Sequence, residues 1–364
     1  MDKKFSIIIV ASIVITMFFA CGQRNAQSGK EESKVEVELE PDVYVVGYES
    51  SGDEFIAKLW KNGIEQELTD SEMYAYSVFV SDNDVYVAGF GGKDWNSKLW
   101  KNGEIQNFTD KKPNSIATSV FVYGNDVYVA GFECDRNANY VFIPTGDVFF
   151  SFNEKTKKIA KLWKNGVPQN LTDGKHDARA KSVFVSDNDV YVVGYESTKN
   201  KEIDIAKLWK NGEIQDLTDG KQDANAYDVF VSSGNVYVAG YESRGDKRIA
   251  TLWKNSIAHN LTDGTNSASC FSVFVSSSDI YIAGFENNGD KNVATLWKNG
   301  MAQKIADGTY ESYAKSVFVF GNDVYVVGYE KKGENTVAKL WKNGETQNLT
   351  DGTNSAIATS VFVK

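Results

Sequence analysis

The sequence predicts an all-β fold built from one repeated four-stranded unit, and three observations predict it. A Leu-Trp pair recurs with its tryptophan at Trp60, Trp100, Trp163, Trp209, Trp253, Trp297 and Trp341, at spacings of 40, 63, 46, 44, 44 and 44 residues. A fixed period of that length is the signature of a repeat architecture. Each unit holds four short runs, typified by SVFV, VYVAGY, AKLW and EIQNLT, rich in β-branched and aromatic residues and without the i, i+3, i+4 spacing of a helix. The repeats open on a second-type run, Asp42-Val43-Tyr44-Val45, and stop on a first-type run, Ser360-Val361-Phe362-Val363-Lys364. Such fragments complete one unit when the ends meet, whereas an open solenoid calls for polar capping repeats. The expected architecture is a seven-bladed β-propeller over 42–364, four strands per blade, its ring closed by the C-terminal strand completing the first blade.

Taken in order, the chain begins with Lys3 and Lys4 ahead of an uncharged run from Phe5 to Ala20 that ends at Cys21. Sixteen residues are short for a membrane span, and the basic-then-apolar layout suits a secretory signal. The stretch MFFACG resembles a bacterial lipobox, with Phe18 and Phe19 replacing its usual Leu and small residue. That resemblance implies a lipoprotein signal peptide over 1–20 and a lipid on Cys21; a plain signal peptide cleaved elsewhere is the alternative. Residues 21–41 then read as the lipidated cysteine and a solvated tether. The expected location is the bacterial cell envelope, as an outer-membrane lipoprotein either periplasmic or surface-exposed, touching the membrane through its lipid only.

Within a unit, SVFV and VYVAGY place apolar residues at adjacent positions, which implies strands covered on both faces. First and second runs are joined by tight turns such as Ser81-Asp82-Asn83-Asp84. Third and fourth are joined by Lys-Asn-Gly, a strong hairpin signal because Asn and Gly accept positive φ; Ser256 alone breaks it. The other two connections are longer and vary, so one face is expected to carry the variation. The unit VYVAGYE…AKLWKNG…LTDG resembles the tandem repeats of a group of bacterial propeller lipoproteins. The resemblance spans nearly all of the chain after Cys21 and implies an envelope location and a propeller, with no catalytic residues.

A net charge of -10 argues against nucleic acid, whose binding uses basic patches. The three cysteines, Cys21, Cys134 and Cys270, are too far apart for a CxxC site. His176 and His259 occupy unrelated repeat positions, so neither a His-based triad nor a His metal site is expected. A sialidase would need an arginine triad and Asp-box turns; Arg136, Arg179, Arg244 and Arg248 are the arginines of the repeats, and no Asp-box is written. Features present in every unit read as structure: the tryptophans as inter-blade packing, the aspartate of each Thr-Asp or Ala-Asp pair as a turn cap. Glu49, Glu133, Glu196 and Glu330 read as cross-strand partners of the AKLW lysines. No cofactor and no metal is expected.

The departures from the repeat carry the functional candidates. Between Glu133 and Ile159 an insertion holds Tyr140 and Phe142 and reads as an extra hairpin, and the unit before it has Gly91 for Glu and adds Trp95. This aromatic group suits stacking on a sugar or gripping a peptide, or else the hairpin buries its own aromatics on Trp95. A second set flanks an alanine (Cys270 in one unit) just before each SVFV run: Tyr74 and Tyr76, Arg179 and Lys181, Tyr227, Phe271, Tyr313 and Lys315 are its aromatic and cationic members. The expected function is a non-enzymatic, monomeric binding module for a glycan or protein. Its rivals are a scaffold in envelope-protein assembly and a polysaccharide hydrolase or lyase, for which two loop carboxylates would suffice.

Overall fold

A computed structural model describes residues 40–93, 95–106, 108, 114–134, 157–199 and 203–364. Cys21, Tyr140 and Phe142 lie outside the described residues. The compact unit is Pro41–Lys364, and its fold is all-β and propeller-like.

One repeat shows the pattern. Ala178–Ser186, Asp189–Ser197, Asp204–Lys210 and Glu213–Asp216 pair in sequence order, each antiparallel to the one before. Five such four-stranded sheets occur among the described residues, beside one seven-stranded sheet. In that larger sheet the strand Ile64–Ser81 ends one repeat and begins the next, pairing Ile64 with Lys61 and Ser81 with Asp84. Its edge joins distant ends of the chain. Ala356–Val363 pairs with Val43–Ser51, placing Val363 opposite Val43 and Val361 opposite Val45.

The repeated residues hold neighbouring sheets together. Each Leu-Trp tryptophan is at most 2% exposed and is packed on the preceding repeat, Trp209 with Tyr128 and Leu162, Trp253 with Tyr191 and Leu208. The Lys-Asn-Gly motif does more than turn the chain. Asn211 (φ 52°) and Gly212 (φ 84°) form the hairpin, while the Asn211 side chain accepts from Val190 N at 2.9 Å and donates to Asp189 at 2.7 Å. Lys210 reaches the same Asp189 at 2.7 Å and lies over the Tyr191 ring. Both tight turns of the repeat are thereby pinned as one unit. Ser256 adopts the same left-handed backbone (φ 65°) where the other repeats have glycine.

The expected carboxylate roles are present. Glu49, Glu196 and Glu330 lie 4.0, 3.5 and 3.3 Å from Lys58, Lys207 and Lys339, and Glu133 pairs with Lys161. Asp173, Asp219, Asp263, Asp307 and Asp351 each accept from the backbone N–H two residues on, at 2.7–3.0 Å.

A bulge in the first strand was not foreseen. Ala180 pairs with Gly194 and Ser182 with Val193, so the register skips Lys181, an extra residue in its strand. The same slip recurs at Tyr76, Thr118, Tyr227, Phe271, Lys315 and Thr359. The invariant glycine of VYVAGY faces it. A Cβ built on Gly194 would stand 1.9 Å from the Arg179 carbonyl oxygen, so no side chain fits. An extra residue of this kind re-aims the side chains beside it.

Candidate binding site at the axial mouth

The first strands converge on an axis, and three layers of side chains surround it. The deepest is a closed ring of phenylalanines: Phe79, Phe121, Phe184, Phe230, Phe274, Phe318 and Phe362. Successive centroids are 4.7–4.8 Å apart, and Phe362 returns to Phe79 at 5.0 Å.

Two residues up the strand lies a polar belt. Ser360, Ser77, Ser119, Ser272 and Ser316 each accept the backbone N–H of a neighbouring repeat's valine, at 3.1–3.3 Å. Between Ser182 and Ser272 the belt breaks the serine pattern with Asp228, which takes over the same task. Its Oδ2 accepts from Val273 N at 2.9 Å, and its Oδ1 accepts from Val229 N at 2.9 Å and from the Ser182 hydroxyl at 2.7 Å. The belt stitches repeat to repeat around the axis.

The bulged residues form the top layer: Tyr76, Thr118, Lys181, Tyr227, Phe271, Lys315 and Thr359. Together with the belt they line a cavity of about 120 Å³. Thr118 and Thr359 turn their hydroxyls to backbone carbonyls, donating at 2.9–3.1 Å. Lys315 Nζ sits 4.1 Å from the Phe271 ring centre, and Lys181 lies over Tyr227 and Tyr195. The chemistry is consistent with reversible binding: cations, flat rings and hydroxyls around one small cup.

Five of the residues marked out by sequence therefore meet here: Tyr76, Lys181, Tyr227, Phe271 and Lys315. Their neighbours do not, because the bulge separates the two members of each pair. Tyr74 is only 2% exposed and stacks on Phe90 at 4.9 Å. Phe90 in turn stacks under Tyr76 at 5.7 Å. Tyr313 stacks on Tyr329 at 4.9 Å and donates to Glu311 at 2.7 Å. Arg179 lies over Phe132 and Tyr195, outside the cavity. Trp95 is partly buried against the same aromatic cluster, 5.8 Å from Phe90 and 6.4 Å from Tyr74. Gly91 has a backbone reason for not being Glu: its φ is 139°, and a Cβ there would meet Met73 Cα at 2.6 Å.

No protein-family model matches the sequence, and no curated protein matches it. The fold is similar to solved structures. Pyrococcus horikoshii acylaminoacyl peptidase matches with a TM-score of 0.52 and 12% identity, over 85% of this chain and 53% of that one. YjhT matches with a TM-score of 0.43 and 12% identity, over 75% and 96% of the two chains. A mutant of Trypanosoma rangeli sialidase displaying trans-sialidase activity matches with a TM-score of 0.44 and 11% identity, over 87% and 56%. The chain spans about half the length of the peptidase and of the sialidase. At these identities the likeness concerns the fold alone.

Around the cup, the loop face carries a second polar group. Ser197 donates to Asp204 at 2.6 Å, Asp204 N donates to Asp223 at 3.0 Å, and Tyr241 donates to Asp223 at 2.8 Å. Burial pushes the Asp204 carboxyl above its ordinary range. Among the described residues, no group of three or more His, Cys, Asp or Glu side chains is placed to hold a metal ion.

Burial also raises Asp228 above its ordinary 3.8, against hydrogen bonds that lower it. The folded state then holds this proton more tightly than the unfolded state. Its contribution to stability is full below the unfolded carboxyl value and falls as pH rises through the folded one. Asp228→Ser installs the residue that the other repeats have there. It is expected to raise the thermal midpoint at about pH 8 and to lose that advantage at about pH 3. Melting curves at both pH values check this; an equal shift at both would contradict it.

Proposed function

We propose that the chain is an envelope-anchored, non-enzymatic binding module, a seven-bladed β-propeller that recognises a glycan or protein through its variable-loop face and axial mouth. Seven blades, with the C-terminal strand completing the first, are supported by the closed phenylalanine ring and by the pairing of Ala356–Val363 with Val43–Ser51. The observation that carries the functional reading is the contrast between layers. A uniform phenylalanine ring and a serine belt broken only by Asp228 support a top layer of four residue types, two tyrosines, two threonines, two lysines and one phenylalanine. Selection on packing alone would repeat the top layer as it repeats the others.

Anchoring rests on the Lys3-Lys4 start, the uncharged run to Ala20 and the lipobox-like MFFACG. A lipid on Cys21 would make residues 22–41 the tether. Binding is tested by presenting the purified full-length protein to a glycan array and to envelope extracts, in parallel with Tyr76→Ala, Tyr227→Ala and a deletion of residues 138–156. The captured ligand is expected to be lost with at least one of these changes. Ligands retained by all three, or turnover of any polysaccharide, would sink the reading.

A further inference from the structure

We propose that the axial cavity is the subsite for the carboxylate of an acidic sugar residue. This rests on the reading of the mouth as a binding site and names what that site selects.

Charge is the first argument. The cavity lining contains two cations, Lys181 and Lys315, and one carboxylate, Asp228. That carboxylate is already engaged by two backbone N–H groups and the Ser182 hydroxyl, and burial favours its neutral form. The lining thus brings two cations to a chain of net charge -10, with Asp204 close enough to Lys181 to feel its charge. Low-dielectric walls focus such a field on whatever enters, so an anion is favoured there.

The belt supplies directed donors. A serine hydroxyl has one proton to give and two lone pairs. Ser77, Ser119, Ser316 and Ser360 use an oxygen lone pair to accept a valine N–H. Each therefore keeps a proton to offer to an acceptor in the cavity that these four residues line. Hydrogen bonds to an ionised acceptor are about twice as strong as neutral ones, so an oxyanion gains most from this arc.

The remaining wall distinguishes a sugar acid from other anions. Tyr76, Tyr227 and Phe271 present rings to the same space, and Tyr76 is held in place by its stack on Phe90 (5.7 Å, 7° between planes). An inorganic anion would leave these rings unused, whereas a pyranose carries its carboxylate beside a C–H face that can stack. The cavity itself is small, about 120 Å³.

The test is calorimetric titration of the full-length protein with an oligogalacturonate, its methyl ester, a neutral and a sulfated oligosaccharide of equal length, and an acidic peptide. The oligogalacturonate is expected to bind, its ester at least about tenfold more weakly, since a hydrogen bond to a charged group contributes more than a tenfold step. Lys181→Met and Lys315→Met keep the alkyl stems and remove the charge. Each is expected to weaken the uronide by about tenfold while leaving the thermal midpoint unchanged, and added salt should weaken it further. Equal affinity for acid and ester, preference for the sulfated sugar or the peptide, or no saturation by the uronide at millimolar concentration overturns the proposal. Binding of a neutral sugar that depends on Tyr76 and Tyr227 but not on the lysines overturns it too, while leaving the binding-module reading in place.

Discussion

Removal of residues 360–364 is expected to abolish the cooperative fold or to lower the thermal midpoint drastically, although the cut takes only the last five residues. Those residues include Val361 and Val363, 4% and 2% exposed, and full burial of one such side chain contributes about 1.5–3 kcal/mol. They also supply Phe362 to the phenylalanine ring, Ser360 to the belt, and both backbone bonds between Asp42 and Lys364. Against a total stability of about 5–15 kcal/mol, losses on that scale are decisive. Lys364→Ala is the control and should melt close to the intact protein. A synthetic peptide of residues 356–364 should restore the lost midpoint when added in excess, because binding to the folded form shifts the equilibrium by mass action. A truncated protein that melts like the intact one would show that this strand does not close the structure.

The second large effect is expected from one methyl group. Gly194→Ala places a Cβ 1.9 Å from the Arg179 carbonyl oxygen and 2.9 Å from its carbon. Backbone atoms cannot rotate away as a flexible side chain can, so the bulge at Lys181 must open. Overpacking typically costs about 1–3 kcal/mol, and a contact this short on backbone atoms belongs at the upper end of that range. Gly245→Ala is the matched comparison. Gly245 sits at φ 64° with nothing within 4 Å of the added atom, and its cost should be only the left-handed backbone penalty, about 1 kcal/mol. Denaturant unfolding of the two variants checks the order; comparable losses would remove the steric explanation for the invariant glycine.

The sheet pattern was legible because each of its signals is local. Leu-Trp recurs in every unit, Asn-Gly in all but the one with Ser256, and β-branched runs throughout, and the structure uses them for packing, turns and strands. The split within the mouth pairs was not legible. Tyr74 and Tyr76 have equal standing in a string of letters, and only the bulge sends one into the body and the other to the axis. The belt was missed for a different reason. Its serines look like ordinary strand residues, and their task appears only when a neighbouring repeat brings a valine N–H to them. Asp228 did leave a trace, since DVFV departs from SVFV. The departure falls inside a strand, where charge is usually read as a solvated face. Gly91 and Trp95 were visible as departures, but their letters could not tell a backbone requirement from a ligand contact.

The bulge has a consequence for how such a chain can diversify. In a regular ladder a side chain is tied to the residue opposite, so changing one requires changing its partner. The register skips the bulged positions, and the belt below them accepts backbone N–H groups. Duplication of the unit thus copies a scaffold together with one position released from it. Thr118 and Thr359 are tied by their hydroxyls to backbone carbonyls of two repeats each, but the other five positions around the opening form a small alphabet that can be rewritten one letter at a time, by natural divergence or by saturation mutagenesis, with the sheets beneath left intact.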